Sequence, residues 1–219
     1  MPAVTQTLPH ASDLDATHSR LLEAAGVVFA EKGFAGATVR EICLRAGANV
    51  AAVNYHFRDK QGLYIEVLRR SMLLAAEEDR ADILSGLPAE AALGRLVSGM
   101  LRRMNSSPEQ GAWHVRIMAH ELAQPTAALD RVVQEVIRPR YEALRQIISR
   151  IIQLPSEHPV TRMCAHSVIG QVVHYAHARP VIDRLWPELN FDADQIAGHI
   201  ATFSLAGLRA VSAQSQPQE

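Results

Sequence analysis

The sequence predicts an all-α protein: an N-terminal three-helix unit containing a helix-turn-helix, then a larger helical body. Three observations carry that expectation. Aromatic residues make up only 5% of the 219 residues, and alanine, leucine and arginine abound, which favours helix over sheet. Apolar residues recur at spacings of three and four along most of the chain, and nothing in the pattern suggests a sheet. Gly33, Gly47, Pro125 and the prolines of Leu154–Pro159 stand at joints between these periodic runs, where they end or start helices.

The first helix is expected from about Thr17 to Lys32. Leu21, Leu22, Ala25, Val28 and Phe29 form its buried stripe, and Gly33 stands where a left-handed C-cap belongs. Thr38 can cap a second, short helix, and Glu41 three residues later makes a capping-box pattern. Val39, Ile42 and Cys43 form the apolar side of that helix, and Gly47 ends it. Asn49 can cap a third helix, NVAAVNYHF, with Val53 and Phe57 packed inward. Asp59 starts a longer one, with Leu63, Val67, Leu68 and Met72 buried. Three helices of this length, two of them joined by a tight glycine turn, match the size and punctuation of a helix-turn-helix unit.

The remainder reads as further helices. Leu84–Glu90 is a joint, Ala91 to about Met104 a helix, and Asn105–Gly111 a loop. Residues 112–123 are helical up to the break at Pro125. Ala127–Ile152 is a long periodic stretch with a kink or boundary near Arg138, ahead of Pro139. Helices of about 160–178 and 192–211 close the body, the last with Ile196, Ile200, Phe203 and Leu208 as apolar positions. The expected organisation is a loose tail over 1–15, a helix-turn-helix domain over 16–62, a helical domain over 63–211 and a polar tail over 212–219.

Composition narrows the function classes. A hydrophobic share of 48% and a charged share of 21% describe a globular chain. Two cysteines make no disulfide scaffold, which suits a reducing, cytoplasmic setting. No uninterrupted apolar run approaches the ~20 residues that span a bilayer, so no membrane partner is expected. The net charge of −1 hides a division: residues 17–76 hold eight Lys/Arg against five Asp/Glu, and the rest is mildly acidic. A modestly basic head on a neutral body suits DNA binding. Catalytic signatures (HExxH, Walker, GxSxG, CxxC) do not occur, and neither catalytic residues nor a cofactor is expected.

The stretches LLEAAGVVFAEKGFAGAT and ATVREICLRAGANVAAVNYHFRDKQGLYIEVL closely resemble the DNA-binding domain of TetR-family transcriptional regulators, over roughly residues 17–70. A short helix beginning at Asn49 offers unpaired N–H groups and a positive dipole end to a phosphate. Val50, Ala51 and Asn54 are the outward positions of the recognition helix. Asn54 can pair with an adenine edge or meet a phosphate, whereas Val50 and Ala51 can make only apolar contacts, for example with thymine methyls. The resemblance implies that Thr38, Tyr55, His56 and Lys60 meet phosphates and that Arg40 reaches the groove or backbone. The plain alternatives are a helix-terminal histidine without a ligand for His56 and a packing residue with its hydroxyl in solvent for Tyr55, while Arg45 is expected to be a solvent-facing charge rather than a contact. Lys60 at a helix N-terminus opposes the dipole, a conflict that a nearby phosphate resolves.

Residues 112–182, through IMAHELAQPTAALDRVVQEVIRPRYEAL and HSVIGQVVHYAHARPVI, look like the C-terminal domain of the CecR-like subgroup of that family. This resemblance implies a helical domain that takes a small-molecule effector and forms a homodimer through the helices near 160–178 and 192–211. Met104, Trp113, His114, Met118, Glu121 and Tyr141 are candidate lining residues for the effector. Two heads roughly 34–36 Å apart would read a palindromic double-stranded operator. The expected function is a dimeric repressor released by a small hydrophobic or amphipathic effector. The alternatives are a metal-responsive regulator, since His166, His174 and His177 share a helical face near His114 and His120, and a helical enzyme or architectural dimer without sequence-specific DNA binding. No metal site is assigned.

Overall fold

A computed structural model describes residues 11–73, 84–104, 108–188 and 191–215. Every described secondary-structure element is helical, as the composition predicts. The chain forms two compact units: residues up to Arg70 together with Arg116–Leu129, and Ser71–Val115 together with Asp130 onward.

In the first unit, α1 spans Ala11–Gly36 and is broken at Gly33, whose φ of 68° and ψ of 177° end the regular helix there. The helix begins at Ala11 rather than Thr17, so residues 11–15 are helical and not part of a loose tail. Apolar periodicity marks the buried length of a helix and does not fix its terminal residues. Leu21, Leu22, Ala25, Val28 and Phe29 are all buried, as their spacing requires.

Helix α2 (Val39–Ala46) is capped by Thr38, whose hydroxyl accepts from Glu41 N at 3.2 Å. The Glu41 carboxylate reaches α1 instead of completing the box: it pairs with Lys32 Nζ at 2.6 Å. Gly47 turns the chain with φ 60° and ψ 38°, and its N–H closes on the end of α2. Helix α3 (Val50–Phe57) is capped by Asn49, whose side chain accepts from Ala52 N at 2.9 Å. Asp59 Oδ1 accepts from Gly62 N at 2.7 Å and so caps α4 (Lys60–Leu73). Leu63, Val67 and Leu68 of α4 are buried, and the Met72 side chain lies outside the described residues.

Gly62 has a steric role that the sequence reading missed. A Cβ there would stand 2.0 Å from the Phe57 carbonyl oxygen, so only glycine lets α4 start this close to the end of α3.

Two helices then follow, α5 (Ala89–Met104) and α6 (Pro108–Ala123). Residues 108–111, expected in a loop, are the first turn of α6, with Pro108 in the position that needs no N–H. Helix α7 (Ala127–Val132) runs into a widened π turn at Val133–Ile137 and on into α8 (Arg138–Ile152). The wide turn lies directly before Pro139, which removes one N–H and crowds the carbonyl four residues earlier. Here the expected kink takes the form of a π turn. Gln153, at φ 59°, ends α8. Helix α9 (Pro159–His177), short α10 (Arg179–Leu185) and α11 (Ala193–Ser215) complete the chain.

The second unit is built around Leu93, Val97, Leu144, Ile148, Val168 and Ile200, all buried. Ile196 and Leu208 face this core as expected, but Phe203 points outward at 65% exposure. Helix α11 continues past Ser212, whose hydroxyl donates to Ile152 O at 3.2 Å, so the polar residues 212–215 are helical rather than tail. Its stretch Ala193–Gln214, with a mean hydropathy of 1.2, is long and apolar enough to cross a membrane by those measures. One of its faces joins the core, and its ends pair with α5 through Asp194–Arg102 and Arg209–Glu90.

The two kinds of glycine give a direct stability test. Gly62→Ala must displace backbone and is expected to cost about 3 kcal/mol. Gly94→Ala, inside α5 with no atom within 4 Å of the new methyl, is expected to stabilise by roughly 0.5–1 kcal/mol. Urea unfolding of both variants checks the opposite signs.

Candidate nucleic-acid interface

Eight residues are too few for a helix to hold itself in water, so α3 keeps its place through caps and packing. Val53 and Phe57 are buried, anchoring one side. That registry turns Val50, Ala51, Asn54 and Tyr55 to solvent, at positions that repeat every turn. Asn54 is exposed, and Tyr55 is 71% exposed, with its ring edge-on to His56 at 5.0 Å. Tyr55 is therefore not a core residue. Thr38, Arg40 and Asn49 are exposed as well, while the first two described caps leave the Thr38 and Asn49 side chains at helix starts. Helix starts carry free N–H groups and a positive dipole end, both favourable to phosphate.

His56 is half-buried and belongs to a ring cluster. His18 of α1 stacks on Phe57 with centroids 4.8 Å apart and meets His56 edge-on at 5.5 Å. Burial lowers the His18 pKa, as do the neighbouring His56 and, more weakly, Arg70; Glu66 and Asp15 act in the opposite direction. Lys60, the first residue of α4, lies with Nζ 4.6 Å above the Phe34 ring centroid. Arg20 Nε donates to Ala46 O at 3.3 Å and ties α1 to the end of α2.

Several positions here escaped sequence reasoning. Leu44 on α2 is 84% exposed, an apolar residue in the helix-turn-helix with no core to enter. His18 and Phe34 become part of the site only through contacts distant in sequence. Gly62 carried a readable signal, a glycine in the first turn of a helix where propensity disfavours it.

The candidate effector residues divide. Glu121 is fully buried within the first unit, and its carboxylate is engaged there: Tyr64 Oη donates to it at 2.6 Å, Thr126 N at 2.7 Å and Thr126 Oγ1 at 2.8 Å. Burial and this carboxylate push the Tyr64 phenol well above its ordinary pKa. Met118 is half-buried in the same unit. Trp113 and Tyr141 belong to the second unit, Trp113 buried and Tyr141 hydrogen-bonded to His166 Nε2 at 3.3 Å. The side chains of Met104 and His114 lie outside the described residues.

The second unit has an open cleft of about 740 Å3 against α9, α10 and α11, where Gln171, His174, Tyr175, Trp186, His199 and Phe203 are among the lining residues. Of the candidates with described side chains, Trp113, Met118, Glu121 and Tyr141 are not among its lining residues. Among the described residues, no three His, Cys, Asp or Glu side chains are placed to hold one metal ion. His120 Nε2 is instead 3.1 Å from Ala30 O. Burial raises the pKa of Cys43 and of Cys164.

The depressed His18 pKa has a signed consequence. The unfolded chain takes up this proton near pH 6.5, before the folded chain does, so stability is full above that pH. It falls as the solution is acidified through that value, and levels once the folded imidazole also protonates. His177 shifts in the same direction through burial, so the comparison must be between variants. Urea unfolding from pH 8 to pH 5 is expected to show a shallower loss for His18→Phe than for the parent. Equal losses would remove His18 from this role.

Residues 21–67 match the family model described as bacterial regulatory proteins, tetR family. Residues 89–208 match the one described as HTH-type transcriptional dual regulator CecR, C-terminal domain. The HTH-type transcriptional dual regulator CecR of Shigella flexneri is 26% identical over 172 residues, covering 74% of this chain and 77% of the relative. FadR from Bacillus subtilis, solved in complex with stearoyl-CoA, superposes with a TM-score of 0.69 at 18% identity, over 87% of this chain and 98% of that one. The fatty acid degradation regulator FadR from Bacillus halodurans gives 0.69 at 18%, over 93% and 99%. At these identities the two structures establish the fold alone. With both models matched in order, and one of them spanning more than half the sequence, the chain belongs to the TetR family of DNA-binding transcriptional regulators, with a C-terminal domain of the CecR type.

Proposed function

We propose that this protein is a cytoplasmic, dimeric repressor that binds a palindromic operator and leaves it when a small hydrophobic or amphipathic effector binds. The observation that carries the reading is the split of α3 into a buried anchor, Val53 and Phe57, and a solvent-facing surface of Val50, Ala51, Asn54 and Tyr55. A short helix so held can present its outward side chains to a major groove. Asn54 is the base-reading candidate of the four. Thr38, Arg40, Asn49, Tyr55, His56 and Lys60 are assigned to phosphate and groove contacts, the class that sets affinity and register.

Dimerisation is supported by apolar surface on the final helices. Met163 on α9 and Phe203 on α11 are both exposed, as are Leu185, Trp186 and Phe191 between them. A surface of this kind fits burial against a second copy. One head contacts only a few base pairs, whereas two related by a two-fold axis read both halves of a palindrome. For the effector, Trp113 and Tyr141 remain lining candidates in the second unit. The stearoyl-CoA bound by FadR of the same fold is a ligand of the amphipathic kind. The reading assigns no catalytic role to the chain.

Selection of the purified protein on randomised duplex DNA, followed by anisotropy titration of the winner across salt, tests this function. A palindrome bound by a dimer is expected, with affinity falling steeply as salt rises. Asn54→Ala is expected to cost about 1–3 kcal/mol on that duplex and to relax the preference at one base pair per half-site. Weak, sequence-blind binding by the parent would contradict the reading.

A further inference from the structure

Lys60 occupies an awkward place for a cation. It is the first residue of α4, where the helix dipole is positive, and the nearby Asp59 carboxylate is engaged with Gly62 N. A lysine on such a site would ordinarily extend into water and sample many rotamers. Here the ammonium lies 4.6 Å from the centroid of Phe34. The ring is itself fixed: it packs against Tyr64 at 4.9 Å and Phe29 at 6.3 Å, and Tyr64 is tied to the buried Glu121 carboxylate. All of these residues belong to the first unit.

From this we infer that Phe34 is a positioning residue for DNA binding: its face holds the Lys60 ammonium where a backbone phosphate can take it up. The inference rests on the assignment of Lys60 to phosphate. Attraction between an ammonium and an aromatic face narrows the lysine's conformations without neutralising its charge. A phosphate meeting it then has less disorder to remove, and affinity rises with no added contact. An acidic partner would fix Lys60 equally well but would cancel the charge that the phosphate needs.

A double-mutant cycle on the selected duplex tests this, with thermal unfolding as a check on each head. Lys60→Gln is expected to weaken binding and reduce the slope of log affinity against log salt by about one. Phe34→Leu is expected to weaken binding roughly two- to fivefold in the parent and to have no effect once Lys60 is already glutamine. Phe34→Tyr, which keeps an aromatic face, should bind like the parent. If Phe34→Leu does not fold, Phe34→Met replaces it in the cycle, with similar bulk and no ring. An equal loss in both backgrounds would show that Phe34 acts by packing alone, and would overturn the inference while leaving the phosphate contact standing. If Lys60→Gln changes neither affinity nor salt slope, the phosphate assignment itself fails and the inference falls with it.

Discussion

The constraint on which this molecule turns is the shortness of α3. An eight-residue helix has no independent stability, so its orientation is whatever its neighbours impose. Three devices impose it: the left-handed turn at Gly47, the Asn49 cap, and the approach of α4 that only Gly62 allows. Burial of Val53 and Phe57 then sets the rotation about the helix axis. The outward direction of Val50, Ala51, Asn54 and Tyr55 follows from that rotation. The exposed chemistry is thus a consequence of the hidden side of the helix.

Behind α3 the first unit is braced by polar ties that a purely apolar core would lack. Lys32–Glu41 joins α1 to α2, and Arg20 reaches the α2 carboxyl end. Glu121 stands fully buried with donors from Tyr64 and Thr126, an arrangement tolerable only because its oxygens are satisfied. That Glu121 network also bears on how the effector site is conceived. A carboxylate already holding the Tyr64 hydroxyl and the Thr126 backbone has its strongest interactions spoken for inside the DNA-binding unit.

Much of the fold was legible because helices announce themselves through apolar spacing and through caps that need particular residues. Thr38, Gly47, Asn49 and Asp59 each stand where their chemistry is required, and the structure uses each of them in that way. Helix ends were less legible. Ala11–Asp15 and 212–215 carry no apolar stripe, yet both are helical, and a turn without apolar periodicity leaves no mark in the sequence. Pro108 read as part of a loop although proline also opens helices. Phe203 fitted the apolar period of α11 but faces outward, since periodicity identifies a stripe without saying what covers it. In the site, residues on α3 itself were readable. The pairings Lys60–Phe34 and His18–Phe57 were not, because they join positions that only the tertiary fold brings together.

Hydrogen–deuterium exchange of the full chain, with and without the selected duplex, tests the central claim most directly because it reports position by position along the backbone. The account predicts slowed exchange concentrated over residues 38–60, strongest at the first turns of α2, α3 and α4, where phosphates meet helix N-termini. Protection that spares residues 49–56 while appearing elsewhere in the chain would contradict it, and α3 would then not be the surface that meets DNA.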